Sequence, residues 1–242
     1  MLNTEPKQFP ECGYCLYRDV FDQAQVEKMR HALQVATLAG LGGLPKYYSE
    51  PHTTDAFWLE TCIHPRLLDA VESILGPNLI LVFSSMFIKQ PRDDNTVCWH
   101  QDNTYWPSVH GPDVVTVWLA IDDVAEENAP MQLIPGSHQG YRLLETAKAG
   151  EKEWLSKKVE ITPQQEASAV SMTMSAGSLS IHDSHLIHGG SINRSDRRRA
   201  GYTIRFCSTD TAWVDVEEHP IPVYLVRGEP GLRGKGYADL RP

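Results

Sequence analysis

The sequence lacks the features that mark several classes of protein. No uninterrupted apolar run approaches the length that crosses a bilayer, so we expect no membrane partner. The first residues carry neither the basic nor the apolar region of a secretory signal, and we therefore expect a cytoplasmic location. Basic residues are outnumbered, 22 against 31 acidic ones, and the net charge of −9 argues against a nucleic-acid-binding surface.

Cysteine is scarce, and its five residues, an odd number, do not form a disulfide framework. Cys12 and Cys15 make a C-x-x-C pair, but a structural zinc would need a second pair and the other three cysteines are isolated. The pair also precedes a segment that we predict to be extended, whereas a redox motif should open a helix after a strand. We therefore predict ordinary thiols at both positions.

Neither internal repeats nor low-complexity tracts are present, and 41% apolar and 22% charged residues are ordinary globular values. A chain of 242 residues is most economically one domain, covering 1–242. Within it we predict a helical part at about 14–76, a strand-rich core at about 77–208 and a C-terminal tail at 209–242.

Apolar spacing and end signals predict two helices in the N-terminal part. Residues 23–38 carry apolar side chains at roughly helical spacing and follow a short predicted strand at 14–21. A second helix is predicted over 65–75, with proline at its first position. The stretch 46–58 is predicted to be irregular. Its aromatic side chains either line a pocket as a lid or pack over the core: Tyr47, Tyr48, Phe57 and Trp58.

Short strands separated by turn signals are predicted from residue 79 onward. The segment 114–121 is almost continuously apolar, which is typical of a strand covered on both faces. Helices followed by short strands indicate an α+β, mainly β fold, and a double-stranded β-helix (jelly roll, cupin-like) with the N-terminal helices packed on one sheet fits best. Residues 220–242 are predicted to form a surface tail or a loop toward a partner subunit. The other predicted strands cover 79–89, 131–134, 158–162, 169–174, 178–181 and 199–207.

The segment His100-Gln101-Asp102 places an imidazole and a carboxylate two residues apart. In an extended backbone residues i and i+2 point to the same face, so both side chains can reach one point in space. One histidine and one aspartate are two thirds of the 2-His-1-carboxylate triad that holds non-haem Fe(II). Because His-x-Asp also occurs by chance, the interpretation depends on a second histidine downstream.

Three of the ten histidines compete for that position: His182, His185 and His188. His182 and His188 are separated by an even number of residues and would share a strand face, whereas His185 would not. The residues that follow favour His188, because Gly189-Gly190 removes side-chain bulk where a ligand-bearing strand must turn beside a metal.

Turn residues at 193–196 lead into Arg197-Arg198-Arg199. A hairpin here would return the chain antiparallel to the strand that carries His188, and an arginine at the start of the return strand would point back into the same barrel. The planar guanidinium suits bidentate capture of a carboxylate. The alternative is a solvated basic turn, which we expect for two of the three arginines.

These motifs, taken in order, resemble the phytanoyl-CoA dioxygenase family, and the resemblance runs from about residue 14 to residue 207. Its members are Fe(II)- and 2-oxoglutarate-dependent oxygenases on a double-stranded β-helix. The resemblance implies Fe(II) ligands at His100, Asp102 and His188, and an anchor for the distal carboxylate of 2-oxoglutarate at Arg199. It also places Trp118, Gln101 and Lys89 near the cosubstrate. The motifs that carry it are His100-x-Asp102, Glu127-Asn128-Ala129-Pro130-Met131, Pro135-Gly136-Ser137-His138 and His188-Gly189-Gly190 through Asn193-Arg194-Ser195 to Arg199.

Two departures from the family pattern stand out. Ala129 occupies a position where many members have glycine, and His188-Gly189-Gly190-Ser191 replaces the common His-Gly-Ser-Gly, which moves the hydroxyl by one position. The resemblance implies hydroxylation of an unactivated C–H bond of a small molecule, with O₂ consumed, succinate and CO₂ released, and ascorbate as an activator. Asp102 favours hydroxylation over halogenation, since related halogenases carry a small residue there.

Other functions are compatible with the same residues. Desaturation or rearrangement would use the same ligands. A non-catalytic metal- or ligand-binding β-helix protein and a cupin-type metalloenzyme without 2-oxoglutarate are further alternatives. We expect a monomer or a homodimer. Candidate substrate contacts are Asn103, Tyr105, Trp106 and Arg205, the last of which could pair an acidic group.

Overall fold

The computed structural model describes residues 6–38 and 47–241. Its helices are α1 (Phe9–Cys12), α2 (Gln23–Leu38), α3 (Ala56–Cys62), α4 (Pro65–Leu75) and α5 (Pro163–Ala167). Its strands are β1 (Tyr14–Tyr17), β2 (Tyr47–Ser49), β3 (Leu79–Lys89), β4 (Val97–His100), β5 (Val109–His110), β6 (Val114–Ala120), β7 (Met131–Leu133), β8 (Thr146–Lys148), β9 (Lys157–Val159), β10 (Val170–Met172), β11 (Leu179–Asp183), β12 (His188–Gly190), β13 (Arg199–Ser208), β14 (Trp213–Val214), β15 (Tyr224–Arg227) and β16 (Ala238–Asp239). Across these two ranges, every helix is too short or too polar to cross a membrane.

Two sheets form the core of the double-stranded β-helix. The larger sheet has the strand order β1-β11-β6-β13-β3-β15-β16, with β2 added beside β3, and the smaller one has the order β10-β7-β12-β4. A cavity lies between them, because residues of β4, β7 and β12 line it together with residues of β6, β11 and β13. The fold predicted from the sequence is therefore confirmed.

Strand β13 shows how the larger sheet separates core from cavity. Successive side chains on a strand point to opposite faces. Ala200, Tyr202 and Ile204 point outward into the main hydrophobic core, which also contains buried residues of α2, α3 and α4. Arg199 and Thr203 point inward and line the cavity. The N-terminal helices thus pack on the outer face of one sheet, as expected.

The predicted helices at 23–38 and 65–75 are both present. Asp22 and Gln25 begin α2 with a reciprocal pair of hydrogen bonds, since the backbone N–H of each donates to the side-chain oxygen of the other at 2.8–2.9 Å. The expected strand at 14–21 ends earlier, at Tyr17. Asp19 has a φ of 52°, a left-handed conformation that strand pairing cannot accommodate.

Two regions differ more strongly from the sequence prediction. The stretch expected to be irregular contains β2 and α3, whose N-cap Asp55 accepts a 2.9 Å hydrogen bond from the N–H of Phe57. Trp58 is 1% exposed and packs on Tyr202 at 5.2 Å between ring centroids, so it belongs to the core and not to a lid. Lys46 lies outside the described residues.

The C-terminal segment is not a surface tail throughout. Strand β15 pairs antiparallel with β3 and buries Leu225 and Val226, because β3 has a free edge beside Leu79–Leu81 that needs hydrogen-bond partners. The strand predicted at 158–162 is also shorter, since Thr162 and Gln165 cap α5 instead.

Candidate active site

The cavity between the two sheets, counted with its opening to solvent, has a volume of about 480 Å³. It combines a few charged groups with apolar walls, the composition expected of a small-molecule site. Its lining residues are Phe87, Val97, His100, Asp102, Thr116, Trp118, Met131, His182, His188, Gly189, Gly190, Arg199, Thr203 and Arg205.

Three buried side chains converge at one point of this cavity. His100 ends β4 and His188 begins β12, and the two residues face each other in antiparallel register, with ring centroids 4.0 Å apart. Asp102 Oδ1 lies 3.5 Å from His100 Nε2 and 3.6 Å from His188 Nε2. One ligand atom from each residue lies within 4.8 Å of the others. This is the donor set of a facial triad.

The backbone fixes which imidazole nitrogen is available to a metal. His100 Nδ1 lies 2.8 Å from the carbonyl oxygen of Cys98, and His188 Nδ1 lies 2.9 Å from that of Leu186. A carbonyl only accepts hydrogen bonds, so both Nδ1 atoms carry the proton and both Nε2 lone pairs face the common point. The site is therefore arranged for metal binding before any ion arrives.

Burial and neighbouring charges set the protonation states. Burial acts to raise the pKa of Asp102, but His188, His100 and His182 around it outweigh that effect and hold the pKa well below its usual value. Burial, reinforced by His100 and His182, lowers the pKa of His188 well below its usual value. An ionised Asp102 beside a neutral His188 is a combination of donors that suits a divalent cation.

Thr116 holds the carboxylate in orientation. Its Oγ1 donates a 2.5 Å hydrogen bond to Asp102 Oδ2, which leaves Oδ1 turned toward the two histidines. The sequence analysis did not single out Thr116, because it lies within an apolar strand and its partner is known only once β6 is placed behind Asp102. The one available signal was a polar residue inside an otherwise apolar run.

Replacing Thr116 with valine, which has nearly the same shape, is expected to weaken metal binding about 10- to 100-fold, the usual cost of losing an outer hydrogen bond to a metal ligand. Calorimetric titration with Ni(II), as a redox-stable substitute for Fe(II), measures this. Thr116→Ser keeps the hydroxyl and should bind as the wild type does. Equal affinity of the valine variant and the wild type would refute the orienting role.

Arg199 lies at the start of β13 and is 4% exposed. Its Nε has no hydrogen-bond partner among the described residues, and its guanidinium carbon lies 5.4 Å from the ring centroid of Trp118. Burial lowers the pKa of Arg199 to about 10, against the opposing effect of Asp122 and Asp93, so the side chain is still a cation at neutral pH. A buried cation without a paired anion is costly, which indicates a site for an anionic ligand.

Gly201 makes room for Trp118. A Cβ atom added at Gly201 would lie 2.0 Å from Trp118 Cζ2, so only glycine allows the indole to lie against β13. The ring in turn lies beside the Arg199 guanidinium. Gly201 therefore allows Trp118 to lie beside Arg199, and both of these residues are predicted from the sequence to contact the cosubstrate. The sequence analysis did not identify Gly201 as important.

Gly201→Ala is therefore expected to displace the Trp118 ring and to reduce the free energy of unfolding by about 1–3 kcal/mol, the cost of overpacking a dense site. Denaturant unfolding monitored by tryptophan fluorescence measures the loss. Gly190→Ala is the matched control, because an added Cβ there would meet nothing closer than 3.8 Å. Equal stability of the two variants would contradict the packing described.

The structure does not bring Gln101 to the cavity. Its amide nitrogen donates to the carbonyl oxygens of Arg142 at 3.0 Å and His185 at 2.7 Å, and its amide oxygen accepts from the N–H of Leu144 at 2.8 Å. Alternation along the extended chain turns Gln101 away from the face that carries the two neighbouring ligands. Its contact with the cosubstrate stays a prediction, and in this structure the side chain anchors the loop at 142–144.

Lys89 also lies away from the cavity lining. Its Nζ donates to the carbonyl oxygen of Asn95 and lies 4.8 Å from the ring centroid of Trp154. The side chain is fully buried at the end of β3 and is directed to the loop that follows its own strand.

Of the four tentative substrate residues, the structure places only Arg205 in the cavity lining. Asn103 Nδ2 lies 3.1 Å from His185 Nε2, and the Tyr105 hydroxyl donates to the carbonyl oxygen of Lys157 at 2.7 Å. Trp106 is buried in a separate hydrophobic cluster. The 3-10 turn Asp102–Tyr105 redirects the chain after the ligand pair, so these residues do not line the cavity. They pack behind residues that do, since the Tyr105 ring lies 6.2 Å from that of His100 and the Trp106 ring lies 5.4 Å from the Arg205 guanidinium carbon.

His182 and His188 do not share a strand, contrary to the prediction. Strand β11 ends at Asp183, and the chain turns into the other sheet before β12 begins. His182 nevertheless lines the cavity, with Nε2 3.7 Å from Asp102 Oδ2.

The hairpin expected between the strand of His188 and the strand of Arg199 is also absent: β12 pairs with β4 and β7, and β13 pairs with β3 and β6. Arg199 still faces His188 because the sheets face each other.

Comparison with known proteins gives concordant results. A sequence profile of the family described as phytanoyl-CoA dioxygenase (PhyH) matches residues 9–201. The L-proline trans-4-hydroxylase of Streptomyces griseoviridis is 28% identical over 180 residues, which cover 67% of this chain and 66% of the relative. The probable alpha-ketoglutarate-dependent hypophosphite dioxygenase of Stutzerimonas stutzeri is 29% identical over 152 residues, covering 61% and 51%. The chain thus spans about half to two thirds of the length of these curated relatives.

A solved structure shows the same fold. The apo form of the non-heme monooxygenase ThoJ aligns with a TM-score of 0.78 over 98% of this chain and 87% of that chain, at 24% sequence identity. At this identity the likeness shows the fold alone.

Proposed function

Because the chain belongs to the phytanoyl-CoA dioxygenase family, we propose that it is an Fe(II)- and 2-oxoglutarate-dependent dioxygenase that hydroxylates an unactivated C–H bond of a small molecule. One observation carries the proposal: a buried His-Asp-His cluster lines the same cavity as Arg199, a buried arginine whose Nε has no hydrogen-bond partner among the described residues. The cluster suits Fe(II), and the arginine suits the carboxylate of a cosubstrate bound beside it.

Each residue has a separate role in this proposal. His100 Nε2, His188 Nε2 and Asp102 Oδ1 would hold Fe(II), and Arg199 would bind the distal carboxylate of 2-oxoglutarate. Trp118 would support the Arg199 guanidinium through its ring face. When bound, the iron with 2-oxoglutarate and O₂ supplies the oxidising step, in which 2-oxoglutarate becomes succinate and CO₂ and the substrate gains a hydroxyl; ascorbate would keep the iron reduced.

The protein contributes position and exclusion of water. All three proposed ligands and Arg199 are at most 6% exposed, so charges in the cavity act on one another with little screening. Thr116 keeps the Asp102 carboxylate in one orientation, and the backbone carbonyls behind each histidine keep each ring in one tautomer. The chain thereby fixes the donor atoms without a rearrangement at the moment of binding.

The cellular setting and assembly state follow as proposals too. All five cysteines are free thiols, and four of them are buried, which favours a reducing compartment. We propose a cytoplasmic enzyme that acts on a small molecule as a monomer or a homodimer, the two states being separable by light scattering of the purified protein.

The proposal is tested by incubating purified protein with Fe(II), ascorbate and 2-oxoglutarate and measuring succinate by NMR. We expect succinate above the level of an EDTA-treated control, and more of it when a metabolite mixture contains the substrate. Mass spectrometry of that mixture should show a gain of one oxygen atom. Loss of two hydrogens would indicate desaturation instead. Iron-loaded protein that forms no succinate across a broad mixture would contradict the proposed function.

A further inference from the structure

Strand β13 carries two cavity-facing arginines. Arg199 and Arg205 are six residues apart and therefore point to the same face, with Gly201 and Thr203 between them. At about 3.3 Å per residue their Cα atoms are roughly 20 Å apart. In the proposed function, Arg199 binds the distal carboxylate of 2-oxoglutarate, and the other carboxylate binds the metal. Arg205 therefore has no partner in the cosubstrate.

Among the described residues, Arg205 has no ion-pair partner within 4.0 Å either. It is 6% exposed, and its buried Nε has no hydrogen-bond partner in the same ranges. Trp106 covers it, with the guanidinium carbon 5.4 Å from the ring centroid. A ring face supports a guanidinium but leaves its N–H donors free along the edge of the plane. Those donors line the cavity.

Two carboxylates that feel the charge of Arg205 have hydrogen-bond partners elsewhere. Asp102 accepts the hydrogen bond of Thr116, and Glu50 accepts a 2.9 Å hydrogen bond from the N–H of Ser84. The positive charge of Arg205 acts to lower the pKa of both carboxyl groups, but neither forms an ion pair with it. Arg205 is thus held near negative charge without being neutralised by direct contact.

Strand register places Arg205 beside the metal ligands. Arg205 faces Thr116 across β13 and β6, and Thr116 faces His182 across β6 and β11. These three side chains therefore form one row on the inner face of the larger sheet, and the middle one holds Asp102. An anion bound by Arg205 would lie on the Asp102 side of the metal site, away from Arg199.

We propose that Arg205 binds a carboxylate of the substrate, so that the enzyme oxidises a small carboxylic acid whose apolar part packs on Phe87, Val97 and Met131 in the same cavity. This inference rests on the proposed function, because it takes Arg199 to be occupied by 2-oxoglutarate. The planar guanidinium pairs with a carboxylate through two parallel N–H···O bonds, which a neutral amide of the same shape cannot reproduce.

The test is a titration that needs no turnover. Full-length protein is loaded with Ni(II), saturated with 2-oxoglutarate, and titrated calorimetrically with cyclopropane-, cyclopentane- and cyclohexanecarboxylate and with the three corresponding carboxamides. At least one acid should bind the wild type about 10- to 100-fold more tightly than its amide, the range for a hydrogen-bonded charged pair. Arg205→Gln should abolish that preference, and Arg205→Lys, which keeps a cation, should retain part of it.

Arg233→Gln is the matched control. Arg233 is an exposed arginine that also lies over a tryptophan, 3.8 Å from the ring centroid of Trp213, but it is outside the cavity. This variant should keep the full acid preference. Thermal unfolding of each variant checks that it is folded. If Arg205→Gln does not fold, the proposal is tested by the ratio of acid affinity to amide affinity, which should be lower in Arg205→Lys than in the wild type.

The two proposals fail in distinguishable ways. Wild-type protein that binds 2-oxoglutarate but prefers none of the acids to its amide overturns the Arg205 inference and leaves the proposed function standing. Arg205→Gln that loses 2-oxoglutarate binding as severely as Arg199→Gln also overturns it, because Arg205 would then serve the cosubstrate. Wild-type protein that binds neither Ni(II) nor 2-oxoglutarate refutes the proposed function itself.

Discussion

Replacing His188 with alanine is expected to abolish metal binding and, with it, all conversion of 2-oxoglutarate to succinate. The site offers one ligand atom from each of three residues, and the described part of the chain contains no other cluster that could hold a metal. Loss of a direct ligand should cost more than the roughly 10- to 100-fold that outer hydrogen bonds contribute. Calorimetry with Ni(II) and succinate formation with Fe(II) measure the two effects separately.

Two further variants make the result specific. His31→Ala removes an exposed histidine of α2 and should leave both measurements unchanged. His182→Ala removes the neighbouring cavity histidine, whose Nε2 is 3.7 Å from Asp102 Oδ2 and whose ring nitrogens lack hydrogen-bond partners among the described residues. It should retain metal binding. If His188→Ala kept metal binding and His182→Ala lost it, the metal ligand would be His182 and not His188.

Arg199→Gln is expected to weaken 2-oxoglutarate binding about 100-fold while Ni(II) binding stays as in the wild type. Charge-assisted hydrogen bonds to a carboxylate contribute up to about 3 kcal/mol, and every 1.4 kcal/mol is about tenfold in affinity. The same substitution removes a buried cation whose Nε has no hydrogen-bond partner among the described residues. The thermal unfolding temperature of the cosubstrate-free variant should therefore not fall below that of the wild type.

The adjacent arginine provides the control. Arg198, the residue before β13, forms two hydrogen bonds with Asp122, at 2.8 and 2.9 Å, and does not line the cavity. Arg198→Gln should therefore lower the unfolding temperature without changing 2-oxoglutarate affinity. If both variants lost 2-oxoglutarate equally, or if Arg199→Gln also lost the metal, the assigned role of Arg199 would be wrong.

Local patterns in the sequence predict several residues of this site. His100 and Asp102 lie two residues apart in extended backbone, so the shared face needed no tertiary information. The pairing of β4 with β12, which sets His188 opposite His100, could be expected only from the family resemblance. Thr116 could not be found in this way, because its partner Asp102 is fourteen positions away and on a different element.

The errors share a physical cause. The turn after Asp102 and the crossing from β12 to β13 both move the chain into a new layer, and periodicity along a strand gives no signal for such a move. Trp58 was open to either interpretation because an aromatic loop and a short capped helix have similar composition. Asp55 was the available sign of α3, since aspartate at that position caps the helix.

The two faces of β13 can be changed independently. Tyr202 and Ile204 pack into the hydrophobic core that also contains residues of the helices, whereas Thr203 and Arg205, which follow them in sequence, line the cavity. Libraries restricted to Thr203 and Arg205 would therefore vary the cavity lining with little effect on helix packing, whereas Gly201, also inward, must stay glycine for Trp118 to fit. Changes at the outward positions would alter thermal tolerance without altering selectivity. A single ten-residue strand thus offers protein engineers two independent controls.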